Sequence, residues 1–177
     1  MPPIFDLKLG DTTLQLAEIP DAEFILKLRT DEKLNRYISE TKPDIAAQIA
    51  WLTAYKQREA AGEEYYFIIR NQSKPVGTIR IHDFNEESFT MASWIIQRGT
   101  HPYVSVASAL LGYRAGFDYL DYRQARFEVQ KGNEPSFRFH RKMGAVAISE
   151  DDHSVRFQIA YADYCKYLDK FRRFAGI

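Results

Sequence analysis

Two stretches carry residue types that could do chemistry together. The first is Gln97–Ser105, which follows the apolar run Trp94-Ile95-Ile96 and leads into Val106, Leu110, Tyr113, Phe117 and Leu120, spaced alternately four and three apart. A strand running into a helix start leaves backbone N–H groups unpaired and aimed one way, which suits a phosphate or pyrophosphate. Pro102 removes one donor there and Tyr103 adds bulk, but Val104, Ser105 and Val106 still offer amides at the helix start. The second stretch is Asn133–Gly144. Asn133 reads as a helix N-cap, with Pro135 in the first turn, Lys142 in the last and Gly144 as terminator. On its surroundings alone, His140 reads as a packing ring between Phe139 and Met143.

Several other chemistries find no support. His82, His101, His140 and His153 have no metal-ligand spacing, and the lone Cys165 gives no zinc pattern, so no metal is expected. There is no P-loop, no Gly-x-Ser-x-Gly and no EF-hand loop.

The elements that must position these stretches follow from periodicity. Thr12–Ala17 alternates as a strand, with a lead-in edge strand around Phe5–Leu9. Pro20-Asp21 starts a helix with Phe24, Ile25 and Leu28 on one face; the pattern frays and resumes near Leu34–Ile38. Pro43-Asp44 starts a second helix, with Ile45, Ile49 and Leu52 on one side and Gly62 at its end. Strands are expected at Tyr65–Arg70, Val76–His82 and Phe89–Ile96, with turn chemistry at 71–74 and 85–87. Arg126–Val129, Val146–Ile148 and Val155–Tyr161 read as further strands, and Tyr164–Phe174 as a terminal helix. The strands flanking the Val106–Leu120 helix should run parallel, because a crossover helix permits that pairing.

Composition sets the class. At 177 residues the chain is read as a single domain spanning 1–177, and 45% hydrophobic and 14% aromatic content suits a packed core. Lys plus Arg and Asp plus Glu number 24 each, so no global field recruits nucleic acid or a membrane. One cysteine suits a reducing compartment, there is no stretch of about 18 apolar residues, and the start Met1–Asp6 lacks an apolar signal core; a cytoplasmic location is expected.

Asn133, Ser136, His140, Lys142 and Gly144 meet the pattern N-x-x-(S/A)-x-x-x-(Y/H)-x-K-x-G, and the strand ending Trp94-Ile95-Ile96 precedes a loop of matching length at Thr100–Ser105. In both respects the chain resembles the GNAT superfamily of N-acetyltransferases, in the branch of ribosomal-protein and amino-sugar acetyltransferases. The likeness covers roughly Leu14 to Tyr164, leaving 165–177 as a tail, and the loop lacks the family's glycines.

The resemblance implies an α/β fold with a central, mostly antiparallel mixed sheet, helices on both faces, and one parallel pair that splays apart. It implies acetyl-CoA as co-substrate, with its pantetheine arm in that V and a primary amine attacking the thioester directly. Cofactor contacts would come from Ile95, Ile96, Thr100, Tyr103, Val104, Ser105, Val106, Asn133, Ser136 and Lys142, with the oxyanion donor at the amide of Ile95 or Ile96. His140 falls where the family has a tyrosine that donates to the departing thiolate, a role that histidine fills if partly protonated near neutrality. His82, Asp83, Glu32 and Glu40 are open as general base, with His82 and Glu40 preferred.

Acceptor contacts would come from Arg29–Lys42, through Arg29, Tyr37 and Glu40; this stretch resembles enzymes acting on nucleotide-linked amino sugars. Alternatives are a protein N-terminal acetyltransferase of the ribosomal-protein type and a non-catalytic acyl-CoA-binding module. Self-association into a homodimer through the aromatic tail 161–174 is a third.

Overall fold

The computed structural model describes residues 3–175, so the outermost residues of the lead-in and tail lie outside the described residues. Strand β1 (Leu7–Leu9) pairs with β2 (Thr12–Leu16) as a hairpin, turning at Gly10 with φ +58°. Two helices follow, α1 (Ala22–Thr30) and α2 (Ile45–Ala61), with a 3-10 turn at Asn35–Tyr37 where the sequence pattern resumes after fraying. Helix α2 begins and ends as expected. Asp44 Oδ1 accepts from the Ala47 amide at 3.0 Å, and Gly62 closes the helix in the left-handed conformation at φ +75°.

The buried face of α2 differs from the expected one. Leu52 is buried, but Ile45 and Ile49 are 39% and 40% exposed, and Gln48, Tyr55 and Glu59 turn inward instead. Glu59 is satisfied by the Tyr55 hydroxyl and by Lys56 Nζ, the latter at 2.6 Å. Burying an isoleucine fully is worth roughly 1.5–3 kcal/mol, so the helix forgoes stabilisation in order to face this way.

Strands β3 (Tyr65–Asn71), β4 (Lys74–His82) and β5 (Ser88–Ile96) form a meander. The β3–β4 turn holds Gln72 and Ser73 at φ +48° and +67°, the two positive angles that match the twist of a tight hairpin. Helix α3 (Pro102–Arg114) runs into a π-helical turn at Ala115–Tyr119 and crosses over to β6 (Gln124–Gln130). Then come α4 (Glu134–Lys142), β7 (Val146–Glu150) and β8 (Ser154–Ala160). Helix α5 (Tyr161–Ala175) starts directly after β8, earlier than periodicity suggested.

The eight strands lie in the order β1-β2-β3-β4-β5-β6-β8-β7, with β5–β6 the parallel pair expected. Helices cover both faces. Tyr66 and Ile68 of β3 pack with Ile25, Leu52 and Tyr55 under α1 and α2. The alternate residues Phe67 and Ile69, with Ile79 and Ile81 of β4, pack under α3 and α5. Period-two alternation on β3 and β4 therefore separates the two cores. No described helix is long and apolar enough to cross a membrane, and the described residues contain no metal-binding group of three or more His, Cys, Asp or Glu.

Candidate active site

The site starts from an irregularity between β4 and β5. Gly77 and Thr78 pair with Ile96 and Ile95, but Arg80 pairs with Ala92, so Ser93 and Trp94 together oppose the single residue Ile79. Ser93 adopts φ +50°, which costs a non-glycine residue about 1 kcal/mol or more. Thr78 Oγ1 donates to the Ser93 carbonyl at 2.9 Å and holds the bulge. Gly77 is required beside it, since a Cβ there would lie 2.3 Å from the Ile95 carbonyl oxygen.

A bulge bends its strand and increases its twist. Strand β5 pairs with β6 only through Ser88↔Gln124, Phe89↔Ala125 and Thr90↔Arg126, and beyond Thr90 the two strands part. The opening is a cleft of about 300 Å³ walled by both strands and by α4. Gln97 N donates to Val76 O at 2.7 Å, so alternation along the antiparallel pair turns the Ile95 amide to β4 and the Ile96 amide into the cleft.

Among the expected cofactor contacts, Ile95, Ile96, Asn133 and Ser136 line this cleft, and so does His140. Asn133 Oδ1 accepts from the Ser136 amide at 3.4 Å and caps α4. Lys142 is exposed in the last turn of α4 and is not part of the cleft wall. At the loop, α3 starts at Pro102, earlier than expected. His101 Nδ1 accepts from the Tyr103 amide at 3.1 Å, and Val104 N donates to His101 O at 2.9 Å. The amides of Ser105 and Val106 then fall inside the helical ladder rather than at its open end. The Tyr103 side chain leans away over the β1–β2 turn, donating to Leu9 O at 3.2 Å and packing on Phe171, while the Val104 side chain enters the core. Thr100 bonds back to Gln97 O at 3.3 Å.

His140 is 4% exposed, with its ring 4.0 Å from that of Phe127 and edge-on to Trp94 and Phe139. Its Nδ1 is buried without a partner. Burial pushes its pKa down to about 4. The expectation of partial protonation near neutrality is therefore corrected: burial among aromatic rings disfavours the charged imidazolium.

Behind the bulge lies a second cavity of about 370 Å³, and Ser93 borders both. Arg29 and Glu40 line it, as does Lys42. Arg29 splints the loop above, donating from Nε to Thr41 Oγ1 and from Nη2 to Ser39 Oγ, both at 2.8 Å. Tyr37 instead reaches the β6–α4 turn, where its hydroxyl donates to Gly132 O at 2.8 Å beside the cleft. His82 lines neither cavity; its Nδ1 is 2.9 Å from Asp83 Oδ2, and its Nε2 faces Arg80 Nη2 at 3.4 Å.

Gln48, Trp51, Tyr66 and Ser93 also border the second cavity, and sequence reading passed over all four. Gln48 alone left a signal, a polar residue between Ile45 and Leu52 on the helical face read as apolar.

The family model described as an acetyltransferase (GNAT) domain matches residues 12–146. Among solved structures, the chain is similar to a protein described as apo FdhC, a nucleotide-linked sugar GNAT. The identity is 46% and the TM-score 0.88, over 96% of this chain and 98% of that one. In fold it is similar to Mycobacterium smegmatis RimJ in complex with CoA-disulfide, at 14% identity and TM-score 0.76, over 91% and 90% of the two chains. It is likewise similar to the ribosomal-protein-S5-alanine acetyltransferase of Vibrio fischeri, at 11% identity and TM-score 0.76, over 89% and 97%. No curated protein matches the chain.

Proposed function

The chain belongs to the GNAT acetyltransferase family and is an N-acetyltransferase, and from that premise we propose that it acetylates a nucleotide-linked amino sugar with acetyl-CoA. The reading rests on one observation: a cleft with open strand edges and a polar pocket meet at the Ser93 bulge. Unpaired backbone groups along β5 and β6 suit the amides of a pantetheine arm. In the pocket, Lys42 and Arg29 have no carboxylate partner among the described residues, which suits an anionic acceptor better than a polyamine. The 46% identity to a protein described as a nucleotide-linked sugar GNAT supports the same acceptor class.

In this proposal the acceptor amine enters from the pocket and its nitrogen attacks the thioester carbonyl carbon. A C–N bond forms, the C–S bond breaks, and the amine proton passes to Glu40, because the other pocket carboxylate, Asp44, is committed to its cap. The Ile96 amide donates to the oxygen that becomes negative, a preorganised donor of the kind that dominates acyl transfer. His140, neutral, offers its single N–H toward the departing sulfur rather than a full positive charge.

The test is thiol release and acetylated product across a panel of UDP- and dTDP-linked amino sugars, spermidine and N-terminal peptides. A nucleotide-linked amino sugar is expected to turn over with the highest kcat/KM. Preference for the peptide or the polyamine would overturn the proposed acceptor.

A further inference from the structure

One wall of the acceptor pocket is built from α2, and it carries a polar side chain in an unusual position. Gln48 is only 8% exposed on the buried face of α2, yet it lines the pocket. Its backbone amide is used within the helix, donating to Asp44 O at 3.1 Å. Its carboxamide has no hydrogen-bond partner among the described residues and is not among the polar atoms sealed away from solvent, so it opens into the pocket. One turn further along α2, Trp51 borders the same space and is 37% exposed. Its indole is held parallel to Tyr55 at 5.8 Å and 2° and edge-on to Tyr66, with the guanidinium groups of Arg58 and Arg80 over the ring at 5.5 and 6.0 Å.

A helix that turns a carboxamide inward and leaves Ile49 in water has a ligand-facing reason to do so. We propose that Gln48 and Trp51 form the wall that reads the sugar ring. The Gln48 carboxamide hydrogen-bonds a ring hydroxyl, and the indole packs on the C–H face of the pyranose. The inference rests on the nucleotide-linked amino sugar reading and adds to it the two residues that select the sugar. Carboxamides suit hydroxyls because each can donate and accept.

The decisive variant is Gln48→Leu, similar in size and apolar. A structural glutamine would lose stability on this change. A sugar-reading one should leave the melting temperature equal or higher, because its carboxamide makes no hydrogen bond among the described residues that the change could remove. Acceptor kcat/KM should fall about 10- to 100-fold, with KM for acetyl-CoA unchanged. Trp51→Phe should fall less than Trp51→Ala, and a substrate lacking the contacted hydroxyl should be insensitive to Gln48→Leu. Wild-type acceptor kinetics in folded Gln48→Leu would overturn the inference alone. A wild-type protein that acetylates no nucleotide-linked amino sugar would overturn it together with its premise.

Discussion

The charge state of His140 gives the most discriminating prediction. Its folded pKa of about 4 lies below the ordinary histidine value of 6.5 because the ring is enclosed by Phe127, Trp94 and Phe139. As pH falls, the unfolded chain binds this proton first, so the contribution to stability is complete above about pH 6.5 and is lost progressively toward pH 4. With a folded pKa of about 4 against an ordinary 6.5, acidification from pH 7 to pH 5 removes about 2 kcal/mol through this residue alone. With an m-value of about 2 kcal/mol/M, the urea midpoint moves down by about 1 M. The assay is urea unfolding at both pH values for the wild type and for His140→Phe, which places a ring among rings and cannot titrate. The quantity compared is the change between pH values, so any difference in absolute stability between the proteins drops out. The wild type should lose about 2 kcal/mol more than the variant over this interval. Equal losses would refute the buried, neutral imidazole. A companion result follows for catalysis: the kcat profile between pH 6 and 8 should contain no limb that disappears in the variant, because a neutral ring has nothing to titrate there.

Two further predictions concern the bulge. Thr78→Val keeps the shape but removes the donor to the Ser93 carbonyl, and should destabilise the protein by about 1–3 kcal/mol in urea unfolding while raising KM for acetyl-CoA as β5 straightens. Gly77→Ala drives a methyl into the Ile95 carbonyl oxygen; it should cost about 1–3 kcal/mol and lower kcat/KM more than Gly62→Ala, which lies at the far end of α2.

Much of the scaffold was readable because its signals are local. Asp44 and Gly62 bracket α2 by capping chemistry that depends only on neighbouring backbone. Period-two alternation along β4 puts Ile79 and Ile81 on one face and Arg80 on the other, and in the structure the two isoleucines enter one core while Arg80 lines the pocket on the opposite face. The run from Asn133 to His140 was legible for the same reason, and it brings Asn133, Ser136 and His140 to one cleft. The loop was harder. His101 was not expected to serve as cap, yet its imidazole takes the Tyr103 amide and moves the start of α3 to Pro102. The face of α2 was misread because periodicity ranks residues by hydrophobicity and takes no account of a pocket that rewards a buried glutamine.

The sequence by itself determined the order of strands and helices, the caps of α2 and α4, the tight turns, and the family marker on α4, since each depends on residues within a few positions of one another. Tertiary structure alone decided the parting of β5 from β6, the meeting of two cavities at Ser93, the inward turn of Gln48 and the neutrality of His140. Each of these depends on what lies across the sheet or beyond the helix. A bulge is a mismatch between two strands, and a pKa reports every ring packed around a nitrogen; neither is a property of one segment.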